Sequence, residues 1–261
     1  MGGYNISFAG AGRVGGALCE ALYDAGLRIS QVVSPTGENG KAVAERCKAV
    51  WSPDLIFSDE TDIIIVAVPD SNLEEVIRKI RCRRDALIAH TAGSYGLDVF
   101  PSHIINSGVL YPLQTFSKGR RVTFRELPFF IESSGEVALN MLKNIAGKIG
   151  GRVYFTDTEH RRLLHLSAVF VCNYVNHMLH AGKEITERAA LPFDVLEPLI
   201  QETILKAVEN GPGKSQTGPA ARHDLNTIAK HIELLSFSPR LQTLYREVSQ
   251  SIMSLNKTVE E

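Results

Sequence analysis

Phe8-Ala9-Gly10-Ala11-Gly12-Arg13-Val14-Gly15, the stretch FAGAGRVG at 8–15, decides how this chain is read. It spaces three glycines as GxGxxG. Alone the motif is weak. Here it follows the strand-like run Tyr4-Asn5-Ile6-Ser7-Phe8 and opens a helix expected from Val14 to Ala25, ended by Gly26. That strand–turn–helix context makes it specific for a dinucleotide. Gly10 is expected to permit the tight turn, Gly12 to leave the backbone bare toward a pyrophosphate, and Gly15 to let the helix approach the strand. The amides and positive helix end would then hold the phosphates, which makes Gly10, Ala11, Gly12, Arg13, Val14 and Gly15 the candidate cofactor turn.

The second strand, Leu27 to Ser34, chooses between nicotinamide cofactors. NAD-binding versions carry an acidic residue at its tip to take the ribose diol. This strand ends Val32-Val33-Ser34-Pro35-Thr36, with no carboxylate until Glu38. Ser34 suits a 2′-phosphate, with Arg13 or Lys41 supplying charge, so NADP is the expected cofactor. NAD stays open if Glu38 reaches the diol after a longer turn.

Working outward, strands and short helices alternate. Helices are expected at Lys41 to Lys48, Leu73 to Ile80 and Glu136 to Ile149, and strands at Thr61 to Val68 (stopped by Pro69) and Ala86 to Thr91. Weaker strand signals lie at Gly108 to Leu110, Pro128 to Glu132 and Arg152 to Phe155. Strands apolar along their whole length indicate a parallel sheet covered on both faces. In such sheets ligands lie outside the carboxyl ends of the strands, so Val68, Pro69 and Thr91 are candidates to touch ribose and nicotinamide. Ordinary strand-ending chemistry explains Pro69 nearly as well. After Thr156 the texture turns helical: Glu159 to His180, Lys183 to Ala190, Val195 to Glu209, Asp224 to Leu235 and Pro239 to Lys257, with Asn210 to Gly218 as a loop. The expected fold is therefore α/β, a Rossmann domain at 1–157 followed by an all-helical domain at 158–261.

Composition removes several function classes. The 261 residues carry 28 basic and 29 acidic side chains, a net charge of −1, so there is no electrostatic footprint for nucleic acid. The longest apolar run, Ile63 to Val68, falls short of a membrane span, and no signal peptide is evident, so a cytoplasmic location is expected. Cys19, Cys47, Cys82 and Cys172 form no CxxC pair and are read as reduced, mostly buried thiols.

The segments FAGAGRVG, DIIIVAVPD (62–70) and HTAGS (90–94) resemble the pyrroline-carboxylate reductase and β-hydroxyacid dehydrogenase superfamily. GVLYPLQTF (108–116), HLSAVFVCNYVNHML (165–179) and TGPAARHD (217–224) are similar to one branch of it, a Rossmann-like domain joined to domain of unknown function 2520. The resemblance spans nearly the whole chain. It implies an NADP oxidoreductase, a helical second domain that makes a homodimer, and a small oxo acid such as ketopantoate, or a cyclic imine, as substrate. One departure matters: β-hydroxyacid dehydrogenases use a lysine in the first long C-terminal helix, and Leu163 to Leu179 contains none.

Acid–base candidates come instead from polar residues of that region. His165 suits general acid work near neutral pH, and Asn173 could hold a carbonyl or carboxamide. On a regular helix they stand roughly 80° and ~12 Å apart, along one wall of a cleft. A histidine satisfied inside a helix interface explains His165 equally well. Arg222 could clamp a carboxylate or pair with a nearby acid. Asp224 reads as an N-cap, and His231 is a second acid–base candidate. Tyr111 and Gln114 could reach substrate from the Rossmann side, although a proline turn explains most of that segment. His177 and His180 read as surface or subunit contacts, and no metal set emerges. The leading expectation is hydride transfer from NADPH to C=O or C=N. Two alternatives are a non-catalytic NADP-responsive binding protein and an oxidoreductase using a deazaflavin coenzyme, for whose long tail no sequence feature supplies a site.

Overall fold

The computed structural model describes residues 3–35, 37–117 and 119–255. Thr36, at the tip of the second strand, and Lys257, the expected end of the last helix, lie outside them. The chain divides into two compact units, 1–173 and 174–261.

In the first unit the order is β1 (Asn5–Ala9), α1 (Arg13–Asp24), β2 (Arg28–Val33), α2 (Gly37–Arg46), β3 (Val50–Ser52), β4 (Ile63–Val66), α3 (Leu73–Lys79), β5 (Leu87–His90), β6 (Ser107–Pro112), β7 (Pro128–Ser133), α4 (Glu136–Lys148), β8 (Arg152–Phe155) and α5 (Thr158–Ala168). Among the described residues one eight-stranded sheet forms, ordered β3-β2-β1-β4-β5-β6-β7-β8. The strand order reverses between β1 and β4, which puts the topological switch point, and its crevice, beside the glycine turn.

The apolar runs predict this burial well. Ile63, Ile64 and Ile65 of β4 are all 0% exposed, side chains alternating into the cores on the two faces. Each such burial contributes about 1.5–3 kcal/mol. One face collects Leu18, Cys19 and Leu22 of α1 with Leu142 and Ile145 of α4; the other collects Leu73 and Ile77 of α3. The Cys19 thiol donates to Cys47 Sγ at 3.5 Å, and all four cysteines are free; Cys82 and Cys172 are only partly buried.

Three local expectations are corrected. The sheet is not wholly parallel: β7 runs antiparallel to β6, and among the described residues between them there is no crossover helix of the kind a parallel return needs. The helix expected at Lys41 begins earlier, at Gly37, which places Glu38 in its first turn and leaves it exposed, where the helix dipole favours an acid. The short β3 was not anticipated; it is a three-residue strand pairing β2, too brief to show a period.

The helix read as Glu159 to His180 is also different. α5 gives way to a π-helical segment, Val169–Tyr174, and α6 (Val175–Arg188) follows without the break expected before Lys183. The second unit continues with a 3₁₀ turn (Phe193–Leu196), α7 (Glu197–Asn210), α8 (Pro212–Ser215), α9 (Leu225–Leu234) and α10 (Pro239–Leu255). The single turn α8 sits inside the segment expected to be loop. The core of this unit is Ala181, Leu235 and Leu241, with Phe237, Leu244 and Tyr245 against it. Among the described residues no helix is long and apolar enough to cross a membrane.

Candidate active site

The turn between β1 and α1 shows a separate reason for each glycine. Gly10 has φ +103°, and a Cβ there would fall 2.4 Å from the Ala67 carbonyl oxygen, so the turn needs glycine twice over. A Cβ at Gly15 would fall 2.2 Å from the Gly10 oxygen and 3.0 Å from Ala67 Cβ, which is the close helix–strand approach expected of it. A Cβ at Gly12 would meet nothing within 4 Å. The space over Gly12 is open, at the head of a helix with no side-chain cap and no acid in its first turn.

Arg13 stands at the first position of α1, where the helix dipole disfavours a cation by about 0.3–1 kcal/mol. An anion at the helix head would reverse that cost. The loop after β6 adds Arg120 and Arg121, which line with Gly12, Arg13 and Asn39 an open groove of about 740 Å³. Arg120 and Arg121 were not found by sequence reading, because nothing local marks a loop that folds back beside α1. At the tip of β2, Ser34 is buried and Lys41 holds its ammonium 4.7 Å from the Trp51 ring centroid. Val68 is half-buried against Gly10, Pro69 is exposed, and the Thr91 amide donates to the Val66 carbonyl at 3.2 Å.

Further along the same carboxyl edge, Tyr111 near the end of β6 meets His165 of α5. The tyrosine hydroxyl and His165 Nδ1 are 3.0 Å apart, with the rings edge to face at 5.8 Å. Nδ1 accepts from the tyrosine in the neutral ring that carries its proton on Nε2, and donates to the tyrosine oxygen in the doubly protonated ring, so in both states Nε2 is the nitrogen left to act. Burial raises the Tyr111 phenol above its ordinary value, while the charge of Arg161 pulls the other way, so the hydroxyl keeps its proton at neutral pH. A Cβ at Gly93 would lie 2.7 Å from His165 Nδ1 and 2.9 Å from Tyr111 Cε2. The loop after β5 therefore rests directly on this pair.

His90, at the end of β5, organises that loop. It is fully buried, its Nε2 lies 3.2 Å from the Gly96 carbonyl oxygen, and its Nδ1 accepts from the Ala92 amide at 3.2 Å. The Ala92 bond keeps Nδ1 unprotonated and the Gly96 bond puts the ring proton on Nε2, so together they select one neutral tautomer. Burial lowers its pKa from 6.5 to about 4. The unfolded chain binds this proton first, so the contribution of His90 to stability is complete above pH 6.5 and is lost as pH falls toward 4. The loss amounts to about 3 kcal/mol. Urea unfolding at stepped pH checks this: the His90→Asn variant should show a flatter decline across that window, and an identical slope would contradict it.

Asn173 is exposed in the π-helical segment, where the regular 100° per residue that aligned it with His165 no longer holds. Arg222 and His231 belong to the second unit. Arg222 is exposed in the turn before α9. His231 Nδ1 is 2.8 Å from the Tyr245 hydroxyl, a satisfied contact between α9 and α10. Asp224 caps α9, accepting from the Thr227 amide at 3.0 Å and its hydroxyl at 2.7 Å, and these bonds lower its pKa. His177 and His180 are exposed. Among the described residues no cluster of three or more histidine, cysteine or acidic side chains could hold a metal ion.

Residues 4–115 match the Rossmann-like domain family, and residues 127–252 match the family described as domain of unknown function DUF2520. The crystal structure of a "putative NADP oxidoreductase" from Bacteroides fragilis is 41% identical, with a TM-score of 0.88 over 97% of this chain and 98% of that one. A Thermotoga maritima protein is 20% identical, with a TM-score of 0.70 over 98% and 100%. An imine reductase from Myxococcus stipitatus, in complex with NADP+, is 17% identical, with a TM-score of 0.60 over 98% and 94%. The last two show a shared fold. No curated protein is similar in sequence.

Proposed function

Because the chain belongs to the family that joins a Rossmann-like domain to domain of unknown function DUF2520, we propose that it is an NADP-dependent oxidoreductase acting on a small oxo acid or cyclic imine. The observation that carries this reading is the uncapped head of α1 at the switch point, with open space over Gly12. The names of the Bacteroides fragilis and Myxococcus stipitatus proteins support the same chemistry.

The turn Gly10–Gly15 would hold the diphosphate through its amides, with Arg13, Arg120 and Arg121 at its edge and Ser34 and Lys41 toward the adenosine end. Val68, Pro69 and Thr91 would border the ribose and nicotinamide. When bound, the reduced cofactor supplies the hydride. The protein supplies the proton: as the imidazolium, His165 would give its Nε2 proton to the oxygen or nitrogen that gains charge and be left neutral, its Nδ1–H donating to the Tyr111 hydroxyl oxygen, which holds the ring in place. Asn173 is proposed to orient the substrate. Residues 158–261 are proposed as the substrate and homodimer domain, supported by exposed apolar side chains such as Leu199, Leu205 and Val208 of α7.

Calorimetry with NADPH and NADH tests the cofactor, and loss of NADPH absorbance over a panel of 2-oxo acids and cyclic imines tests the reaction. Removing Arg120 and Arg121 together should weaken NADPH and NADH alike, roughly tenfold per guanidinium, as loss of charge-assisted hydrogen bonds to the shared diphosphate does. Equal affinity for NADPH in that variant would remove the arginines from the site. No binding of either nucleotide to the parent protein would overturn the whole reading.

A further inference from the structure

We infer that Arg161 is the positioning residue of the candidate active site: with Glu132 it holds the loop Thr91–Gly96 against α5, and so fixes His165 against Tyr111. Its bearing on catalysis rests on the oxidoreductase reading; its hold on the loop does not.

Among the described residues Arg161 is the largest side chain with no exposure, at 0%. It precedes His165 by one helical turn, on the same face of α5. Its guanidinium donates to the Glu132 carboxylate on β7 and, through the other terminal nitrogen, to the Tyr95 carbonyl. Glu132 is itself fixed, accepting from the Thr158 hydroxyl at 2.9 Å. One planar group thus ties β7, α5 and the loop after β5 together, a task suited to the rigid fork of arginine and not to the single point charge of lysine.

The loop has no slack on that side. A Cβ at Gly96 would fall 2.2 Å from Thr158 Oγ1, and one at Gly93 would fall 2.7 Å from His165 Nδ1. Arg162 adds a bond from Nε to the Ser94 carbonyl at 2.8 Å, and His90 grips the loop from the sheet side. A buried ion pair is a poor source of stability, since apolar side chains of similar volume often serve as well. What this pair supplies that they could not is a specified direction for the loop, and the loop is what lies on the His165–Tyr111 pair.

The test needs no substrate. In the double variant Arg161→Met/Glu132→Leu both charges are gone, so neither is left buried alone, and the fold should hold by thermal unfolding. Amide hydrogen exchange over residues 91–96 should accelerate about tenfold or more. The Tyr111 signal in carbon-13 tyrosine NMR, assigned with Tyr111→Phe, should titrate at higher pH once the neighbouring cation is removed. Arg161→Lys should fall between parent and double variant in exchange. A folded double variant with parental exchange and an unmoved Tyr111 titration overturns the inference; if the double variant does not fold, parental exchange in Arg161→Lys overturns it. Calorimetry on the parent separates the two readings: failure to bind NADPH removes the oxidoreductase, while accelerated exchange in the variants still establishes the hold of Arg161 on the loop.

Discussion

His165→Ala is expected to lower kcat by about 10²–10⁴-fold, the range a positioned general acid contributes, while leaving the Kd for NADPH unchanged. The separation follows from geometry. His165 Nδ1 is engaged by Tyr111 at 3.0 Å and the ring rests on the Gly93 loop, whereas the diphosphate turn is formed by β1, α1 and the carbonyl of Ala67. Nothing in the turn depends on the imidazole. Tyr111→Phe removes only the hydroxyl that engages Nδ1, so it should cost less than His165→Ala. Steady-state kinetics on the substrate that emerges from the oxo acid and imine panel, with calorimetry in parallel, reads both. Parental turnover in His165→Ala would remove His165 from the acid role.

A carboxylate placed at Gly12 should abolish cofactor binding without touching the fold. Gly12 has φ −71°, ordinary for any residue, and its Cβ would enter open space. Gly12→Glu therefore keeps the parental thermal midpoint yet sets a negative charge where amides await a diphosphate. Losing two charge-assisted hydrogen bonds, at about 1.5–3 kcal/mol each, corresponds to a roughly 10²–10⁴-fold rise in Kd. Gly10→Ala and Gly15→Ala should behave in the opposite sense. Their new methyl groups would press on backbone oxygens at 2.4 and 2.2 Å, so the midpoint falls along with affinity. Parental NADPH affinity in Gly12→Glu would show that no phosphate sits at the head of α1.

Much of the first unit was legible because its signals are local. A strand, a glycine turn and a helix adjacent in sequence are adjacent in space, so the roles of Gly10, Gly12 and Gly15 follow from neighbours within a few residues and from Ala67 at the next strand end. Burial of β4 follows from the unbroken apolar run at 63–66. The direction of β7 was not legible, since strand propensity says nothing of direction and the loop 113–127 carries no crossover signal. Nor was the π-helical segment, whose residues Val169–Tyr174 have the apolar texture of an ordinary helix. It changes the phase of every residue beyond it, which undid the alignment of His165 with Asn173.

By itself the sequence determined the α/β class, the dinucleotide turn and the change to helices after the last strand. Each rests on periodicity or on a motif within one element. Only the tertiary structure decided that His165 meets Tyr111, that Arg161 reaches Tyr95 and Glu132, that Arg120 and Arg121 return to α1, and that His231 is occupied by Tyr245. Those contacts join residues distant along the chain, and which distant side chains meet depends on strand order and helix phase, neither of which is written in any local stretch.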